Sequence, residues 1–193
     1  MEIQLGKLDA VEDPKLGLEQ YPVSPETASE LLYMAGFEHG DLEGSVVDLG
    51  TGSGRLAIGA ALMGADSVLG LDIDKGSLGV AVRNGKTAEV DVDWVVAGLE
   101  SITGNFNTVL MNPPYGTRTP HQDIRFLSRA FELAPITYSI HKSSTREFIV
   151  GFAEKNNRHV DQIRSIGMSI PHLFEFHQKK WKTIDVDLCR ISV

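Results

Sequence analysis

Apolar and polar positions along the 193-residue chain fall into short blocks of two kinds. The first kind is a brief apolar run bounded by Gly, Asp, Asn or Pro, the pattern of a strand buried on both faces. "SVVDLG" (45–50), "SVLGLDID" (67–74), "VDWVV" (92–96), "FNTVLM" (106–111) and "ITYSI" (136–140) are of this kind. In the second kind apolar residues recur every three or four positions, which predicts a helix. "VSPETASELLYMAGF" (23–37), "RLAIGAALMG" (55–64), "KGSLGVAVRNG" (75–85), "DIRFLSRAFELA" (123–134) and "STREFIVGFAEKN" (144–156) read this way. Ser24 suits the cap of the first of them and Pro25 its first turn. Asp74 suits the cap of the third. At the end, "TIDVDLCRISV" (183–193) alternates and predicts an antiparallel strand.

Strands that alternate with helices imply an α/β fold with a mainly parallel sheet covered on both faces. Such sheets bind ligands at the carboxyl ends of their strands, near the topological switch point. The chemically informative segments of this chain all fall at such strand ends.

The first of them is "VVDLGTGSGRLAIG", with Gly50, Gly52 and Gly54 between a strand and a helix. Glycines there permit positive φ and leave bare backbone for a ligand, and the helix N-terminus adds donors and partial positive charge. Asp72 ends the next strand, 22 residues after Gly50. An acid at about that distance meets a ribose diol in nucleotide-binding α/β domains. The dinucleotide fingerprint would place a third glycine at position 55, where this chain has Arg55, a side chain poorly suited to close helix–sheet packing. The pattern D-x-G-x-G-x-G, from Asp48 to Gly54, resembles motif I of class I S-adenosylmethionine-dependent methyltransferases instead. In that family the loop holds the methionine end of the donor and the acid after the second strand holds its ribose.

The second segment is "NPPY", Asn112-Pro113-Pro114-Tyr115, directly after the strand 106–111. Two prolines end the strand and stiffen the backbone. They leave the Asn112 side-chain oxygen and the Pro113 carbonyl as acceptors, while Pro114 offers no competing donor. "NPPY" resembles the motif of methyltransferases that act on planar nitrogens, the amine of adenine or the amide of glutamine. Such a nitrogen is a poor nucleophile because its lone pair is delocalised. Acceptors aimed at its hydrogens favour a pyramidal nitrogen and steady the developing positive charge. The Tyr115 ring suits stacking on the substrate plane. By itself Asn-Pro-Pro also suits a plain turn.

Composition changes this picture in one respect. The net charge of −8 argues against a polyanionic partner, but its distribution is uneven. Residues 1–117 hold 6 Lys and Arg against 18 Asp and Glu, whereas residues 118–193 hold 12 against 8. This distribution suits a basic face on the last third of the chain, and also a chance asymmetry of a solvated surface. "HKSSTRE" (141–147) offers Lys142, Ser143, Ser144, Thr145 and Arg146 at a strand-to-helix junction, suited to a phosphate. The same residues suit a capping box, with Ser143 or Ser144 at the cap and Glu147 as its reciprocal partner. "FHQKKWK" (176–182) sets Lys179, Lys180 and Lys182 around Trp181, a composition suited to single-stranded RNA and equally to a solvated loop with one packed Trp. The single cysteine, Cys189, excludes a disulfide framework and a cysteine-based zinc site. No run is apolar enough to cross a membrane and no signal peptide opens the chain, so a cytoplasmic protein is expected.

Six segments narrow the family. "LEQYPVSPE" (18–26), "DLGTGSGRLAIG" (48–59), "GLDID" (70–74), "MNPPYGT" (111–117), "SIHKSSTRE" (139–147) and "VDLCRIS" (186–192) occur in one order. Together they resemble the archaeal and eukaryotic family that makes N6-methyladenosine in small-subunit ribosomal RNA. The resemblance runs from about Leu18 to Val193 and implies a single Rossmann-like domain over 1–193. It further implies a mainly parallel seven-stranded sheet with an antiparallel C-terminal strand, and a segment 1–23 contributing to the donor site. S-adenosylmethionine is the implied cofactor, with no metal. Asp48, Gly50, Gly52, Ser53, Gly54 and Asp72 are the implied donor contacts, together with Gln20. The eukaryotic enzyme of that family works with a small zinc-binding activator subunit. This chain departs from the family at two places. Val23 stands where Thr is common, and Val96-Ala97-Gly98-Leu99 lacks the usual Asp, which leaves the backbone at Gly98 and Leu99 to meet the donor's adenine.

The expected activity is methyl transfer to adenine N6 in structured RNA, with Asn112, Pro113, Pro114 and Tyr115 at the acceptor. Rival readings are a protein glutamine N5-methyltransferase, a DNA adenine methyltransferase and a non-catalytic donor-binding scaffold.

Overall fold

A computed structural model describes residues 1–11, 15, 21–115, 122–171 and 181–193. Its strands are β1 (Ser45–Leu49), β2 (Ser67–Asp72), β3 (Asp93–Val96), β4 (Thr108–Met111), β5 (Ile136–Lys142), β6 (His159–Pro171) and β7 (Trp181–Ser192). Its α-helices are α1 (Glu2–Gly6), α2 (Pro25–Tyr33), α3 (Arg55–Leu62), α4 (Lys75–Thr87), α5 (Gln122–Leu133) and α6 (Arg146–Lys155). The strands form one sheet in the order β3-β2-β1-β4-β5-β7-β6. β1 through β5 run parallel, and β7 enters antiparallel between β5 and β6. The expected architecture is thus present, with the switch of strand order between β1 and β4.

β1 and β4 carry consecutive apolar residues, Val46-Val47 and Val109-Leu110-Met111, because both faces of the sheet are covered. Val46 and Leu110 face a core that includes Leu5 of α1, Leu31 and Leu32 of α2 and Ile58 of α3. Their chain neighbours Val47, Val109 and Met111 face a second core with Leu127 of α5 and Ile149 of α6. Each fully buried aliphatic side chain in these layers contributes about 1.5–3 kcal/mol.

Three expectations are corrected. β3 was expected to be buried, but it is an edge strand with Val95 and Val96 41% and 50% exposed. β6 was not placed by the pattern, although seven strands were expected. It is a long edge strand whose polar Gln162, Arg164 and Ser165 interrupt the apolar pattern, and among the described residues it pairs with β7 alone. The helix expected over 144–156 starts later, at Arg146, after a 3-10 turn at Ser143–Thr145. The capping box does not form: Thr145 is the cap residue, without a side-chain capping bond, and its hydroxyl donates to the Lys142 carbonyl instead. The expected caps elsewhere are present. Ser24 accepts from Thr27 N–H, Pro25 opens α2, and Asp74 accepts from Gly76 N–H.

Candidate active site

The carboxyl ends of β1, β2 and β4 open onto a cleft of about 240 Å³. The loop after β1 forms its floor. Gly50, Gly52 and Gly54 all have positive φ (70°, 56° and 85°), so the loop turns tightly into α3. Gly54 also lies close to Trp94 of β3: a Cβ there would sit 2.7 Å from the indole. The close-packed glycine of the loop is therefore residue 54. The side chain of the next residue, Arg55, reaches the N-terminal segment. It is only 7% exposed and donates to two backbone carbonyls of the N-terminal segment, Val23 and, at 3.2 Å, Leu8. The mismatch of Arg55 with the dinucleotide pattern is thus resolved by a different partner.

Asp48 is buried at the end of β1. Its Oδ2 accepts from the Thr51 hydroxyl at 2.6 Å and from Ala57 N–H at 3.1 Å. Its Oδ1 is buried with no hydrogen-bond partner among the described residues. Burial pushes its carboxyl up to about 7, further than these hydrogen bonds pull it down. Asp72 accepts from Gly52 N–H and from Asp74 N–H, both at 2.8 Å. These two donors fix its carboxylate at the cleft wall, while burial raises its pKa.

The cleft wall opposite the glycine loop comes partly from residues without a local sequence signal. Ala97, Gly98, Leu99 and Glu100 follow β3, with Leu99 opening a 3-10 turn whose first N–H groups lack partners within that turn. Glu100 pairs with Arg125 of α5 at the rim, and Phe126 packs against Gly50. A carboxylate thus borders this wall even though the usual Asp is missing. It comes from position 100. Tyr21, Pro22 and Val23 close the cleft from the N-terminal side.

At the acceptor end, Asn112 and Pro114 line the cleft. The Asn112 amide N–H donates to the Tyr21 carbonyl at 3.0 Å, and its Oδ1 lies 3.4 Å from the Tyr115 hydroxyl. Pro113 is buried behind them. The Tyr115 ring stacks on Tyr21, with centroids 5.8 Å apart, and the Lys142 ammonium lies 5.1 Å from its centroid. Tyr115 and Lys142 border a second, smaller pocket with Asp123, His141 and Thr145. His141 is buried, and its pKa falls to about 4 because of that burial.

The expected site residues therefore divide. Asp48, Gly50, Gly52, Ser53, Asp72, Gly98, Leu99, Asn112 and Pro114 share the cleft. Gly54 supports it from below, and Pro113 and Tyr115 lie beside it. In "KSSTR", Ser143 and Arg146 are drawn to the buried Asp187, which accepts from Ser143 Oγ at 2.7 Å and from Arg146 Nε at 2.7 Å. Ser144 is exposed, and Lys142 and Thr145 border the second pocket. Gln20, Lys179 and Lys180 lie outside the described residues, and Trp181 is described only as the first residue of β7. Tyr21, Arg55, Glu100, Arg125 and Phe126 were missed. Tyr21 stood in a quoted motif beside Gln20, and Arg55 stood in the glycine-loop motif as a misfit without a role.

A parallel sheet with one antiparallel strand inserted near its end, a glycine cleft at the switch point and an Asn-Pro-Pro corner beside it define a class I methyltransferase. The family model of ribosomal protein L11 methyltransferase (PrmA) matches residues 28–112. Over the whole chain the sequence is 36% identical to the rRNA N(6)-adenosine-methyltransferase METTL5 of Danio rerio, covering 97% of that protein. Identity to the Drosophila melanogaster counterpart is also 36%, over the whole chain and 95% of that protein. The crystal structure of a candidate RNA methyltransferase from Pyrococcus horikoshii matches with a TM-score of 0.92 at 36% identity, covering 99% of this chain and 95% of that one. The protein belongs to the rRNA N6-adenosine-methyltransferase family.

Proposed function

We propose that the protein transfers a methyl group from S-adenosylmethionine to the exocyclic N6 of an adenine in structured RNA, namely small-subunit ribosomal RNA. The observation that carries this reading is the orientation of Asn112. Its N–H2 end donates to the Tyr21 carbonyl, and its oxygen, which accepts a long 3.4 Å bond from the Tyr115 hydroxyl, has a second lone pair for an acceptor amine.

The residues of the cleft fit the donor. Asp48 Oδ1 is a buried acceptor with no partner among the described residues and suits the donor's ammonium. The Gly52 backbone has open space where a side chain would stand. Asp72, held by two backbone donors, suits the ribose hydroxyls. Gly98, Leu99 and Glu100 border the adenine end. Gln20 and Ser53 join this set by family resemblance. When bound, S-adenosylmethionine supplies an electrophilic methyl group on a sulfonium and leaves as S-adenosylhomocysteine.

The protein's own part is positioning and electrostatics. Asn112 Oδ1 and the Pro113 carbonyl accept from the two amine hydrogens. The new bond forms between N6 and the methyl carbon as the sulfur–carbon bond breaks. The methylated nitrogen is acidic and loses its proton to water, so no dedicated base is needed. Tyr115, braced by Tyr21 and Lys142, walls the acceptor position. A paired adenine must first be flipped out of its helix, at a cost of a few kcal/mol. Lys142, and the part of Arg146 not engaged by Asp187 and Ser165, are the proposed contacts for its phosphates.

The finer expectations belong to the same proposal. A small zinc-binding activator subunit would cover the exposed Val95 and Val96 on edge strand β3, and co-purification tests it. No described helix is long and apolar enough to cross a membrane, and the cytoplasm is the proposed compartment.

Methyl transfer to purified small-subunit rRNA, peptide-release factor and DNA, assayed in parallel with labelled donor, tests the function. Label in the rRNA, recovered as N6-methyladenosine, is expected. Label in release factor or DNA alone points to the rival acceptors, and donor binding without transfer points to a scaffold.

A further inference from the structure

Arg55 is a buried cation without an ion pair among the described residues. Its guanidinium donates to Val23 O and Leu8 O, residues 32 and 47 positions back in the chain, and its Nε has no hydrogen-bond partner among the described residues. Burial lowers its pKa. An aliphatic side chain would fill this place at lower desolvation cost. What the guanidinium supplies instead is geometry. It ties both ends of the N-terminal segment, Leu8 and Val23, to the first turn of α3, directly after the glycine loop. Two residues before Val23, Tyr21 holds the Asn112 amide through its carbonyl and braces Tyr115 with its ring.

Hydrogen bonds and chain connectivity therefore link Arg55 to Asn112 through Val23 and Tyr21. The link matters because the Asn112 amide has two ends of opposite character. With the Tyr21 carbonyl in place, the N–H2 end is anchored. Without it, only the long 3.4 Å bond that Oδ1 accepts from the Tyr115 hydroxyl holds the amide against a rotation that would present donors to an amine that is itself a donor. We propose that Arg55 is a positioning residue for methyl transfer: through the Tyr21–Val23 strap it holds the Asn112 oxygen toward the acceptor nitrogen. This role rests on the reading that Asn112 accepts from the substrate amine.

The test is a double-variant cycle in the full chain with Arg55→Met, Arg55→Lys and Asn112→Ala. The readout is the single-turnover rate of methyl transfer to rRNA with donor and RNA both saturating, and thermal melting serves as the folding control. Arg55→Met is expected to slow the saturated rate by about ten- to a hundredfold, the scale of a small misplacement in an active site. Arg55→Lys recovers part of that loss. Added to Asn112→Ala, Arg55→Met is expected to cost less than about twofold, because the group it positions is already gone. A loss of equal size in both backgrounds, or a saturated rate that Arg55→Met leaves unchanged, overturns the role while leaving the proposed function intact. A wild-type protein that transfers nothing, or an Asn112→Ala variant as fast as wild type, overturns the parent reading and this role with it. If Arg55→Met does not melt cooperatively, Arg55→Lys is read on the same criterion.

Discussion

The Asn112 side chain donates to the backbone carbonyl of Tyr21 at 3.0 Å, across 91 positions of sequence. This bond joins the N-terminal strap to the corner after β4 and decides which end of the amide is free. It also separates two contributions that a mutation can measure apart. The donor cleft depends on Asp48, Asp72 and the glycine loop. The acceptor position depends on Asn112. Asn112→Ala should therefore lower turnover by about 10²–10³, the usual scale for one oriented electrostatic contact. Donor affinity by calorimetry should stay within about twofold of wild type. Equal losses in both would assign Asn112 to folding.

Two buried groups give the stability of the protein an unusual pH dependence. Asp48 has its folded pKa raised to about 7 by burial. Its contribution is complete below the unfolded carboxylate value and is lost as pH rises toward 7. His141 has its folded pKa lowered to about 4, also by burial. Its contribution is present above the unfolded imidazole value and is lost as pH falls toward 4. The two oppose each other over most of this window. Melting temperatures of Asp48→Asn and His141→Asn from pH 4 to 7.5 should separate them. Relative to wild type, the Asp48 variant gains as pH rises and the His141 variant gains as pH falls.

Gly70 in β2 faces the indole of Trp94, and a Cβ added there would lie 2.4 Å from the ring. Trp94 cannot retreat easily, because Gly54 of the donor loop and Gly85 of α4 press on the same ring. Gly70→Ala should destabilise by about 1–3 kcal/mol through overpacking. Trp94→Leu should recover much of that loss in the double variant. Denaturant unfolding of the two single variants and the double variant checks this, and strict additivity would contradict it.

Arg190 of β7 bonds Asp41 through Nε at 2.7 Å and Asp161 of β6 through Nη1 at 2.6 Å. Asp41 also accepts from the Tyr138 hydroxyl at 2.6 Å. Arg190→Met leaves a largely shielded carboxylate without its cation. The expected cost is about 2–3 kcal/mol of unfolding free energy, measured in urea. Saturated turnover should not change, since the network lies away from the cleft.

β1, β2 and β4 were legible in the sequence because burial on two faces writes consecutive apolar residues, and β5 because Ile136, Tyr138 and Ile140 alternate with Thr137 and Ser139. β6 was not, because an edge strand with one wet side carries Gln162, Arg164 and Ser165 among its apolar residues. The donor loop and the Asn-Pro-Pro corner were legible because each packs its chemistry into consecutive residues. Arg55 was visible as a misfit, but its partners Leu8 and Val23 come from another part of the chain. Glu100 and Arg125 meet across 25 positions. For "KSSTR", the phosphate and capping readings both treated the segment as local. The structure commits Ser143 and Arg146 to Asp187, more than 40 positions away. A buried carboxylate that distant leaves no mark in the local pattern.

The most direct test of adenine methylation through Asn112 is a count of N6-methyladenosine in small-subunit rRNA from cells lacking the protein. Mass spectrometry should show one modified adenine lost, restored by the wild-type gene and not by Asn112→Ala. An rRNA with every N6-methyladenosine intact after deletion, or one fully restored by Asn112→Ala, would contradict the account.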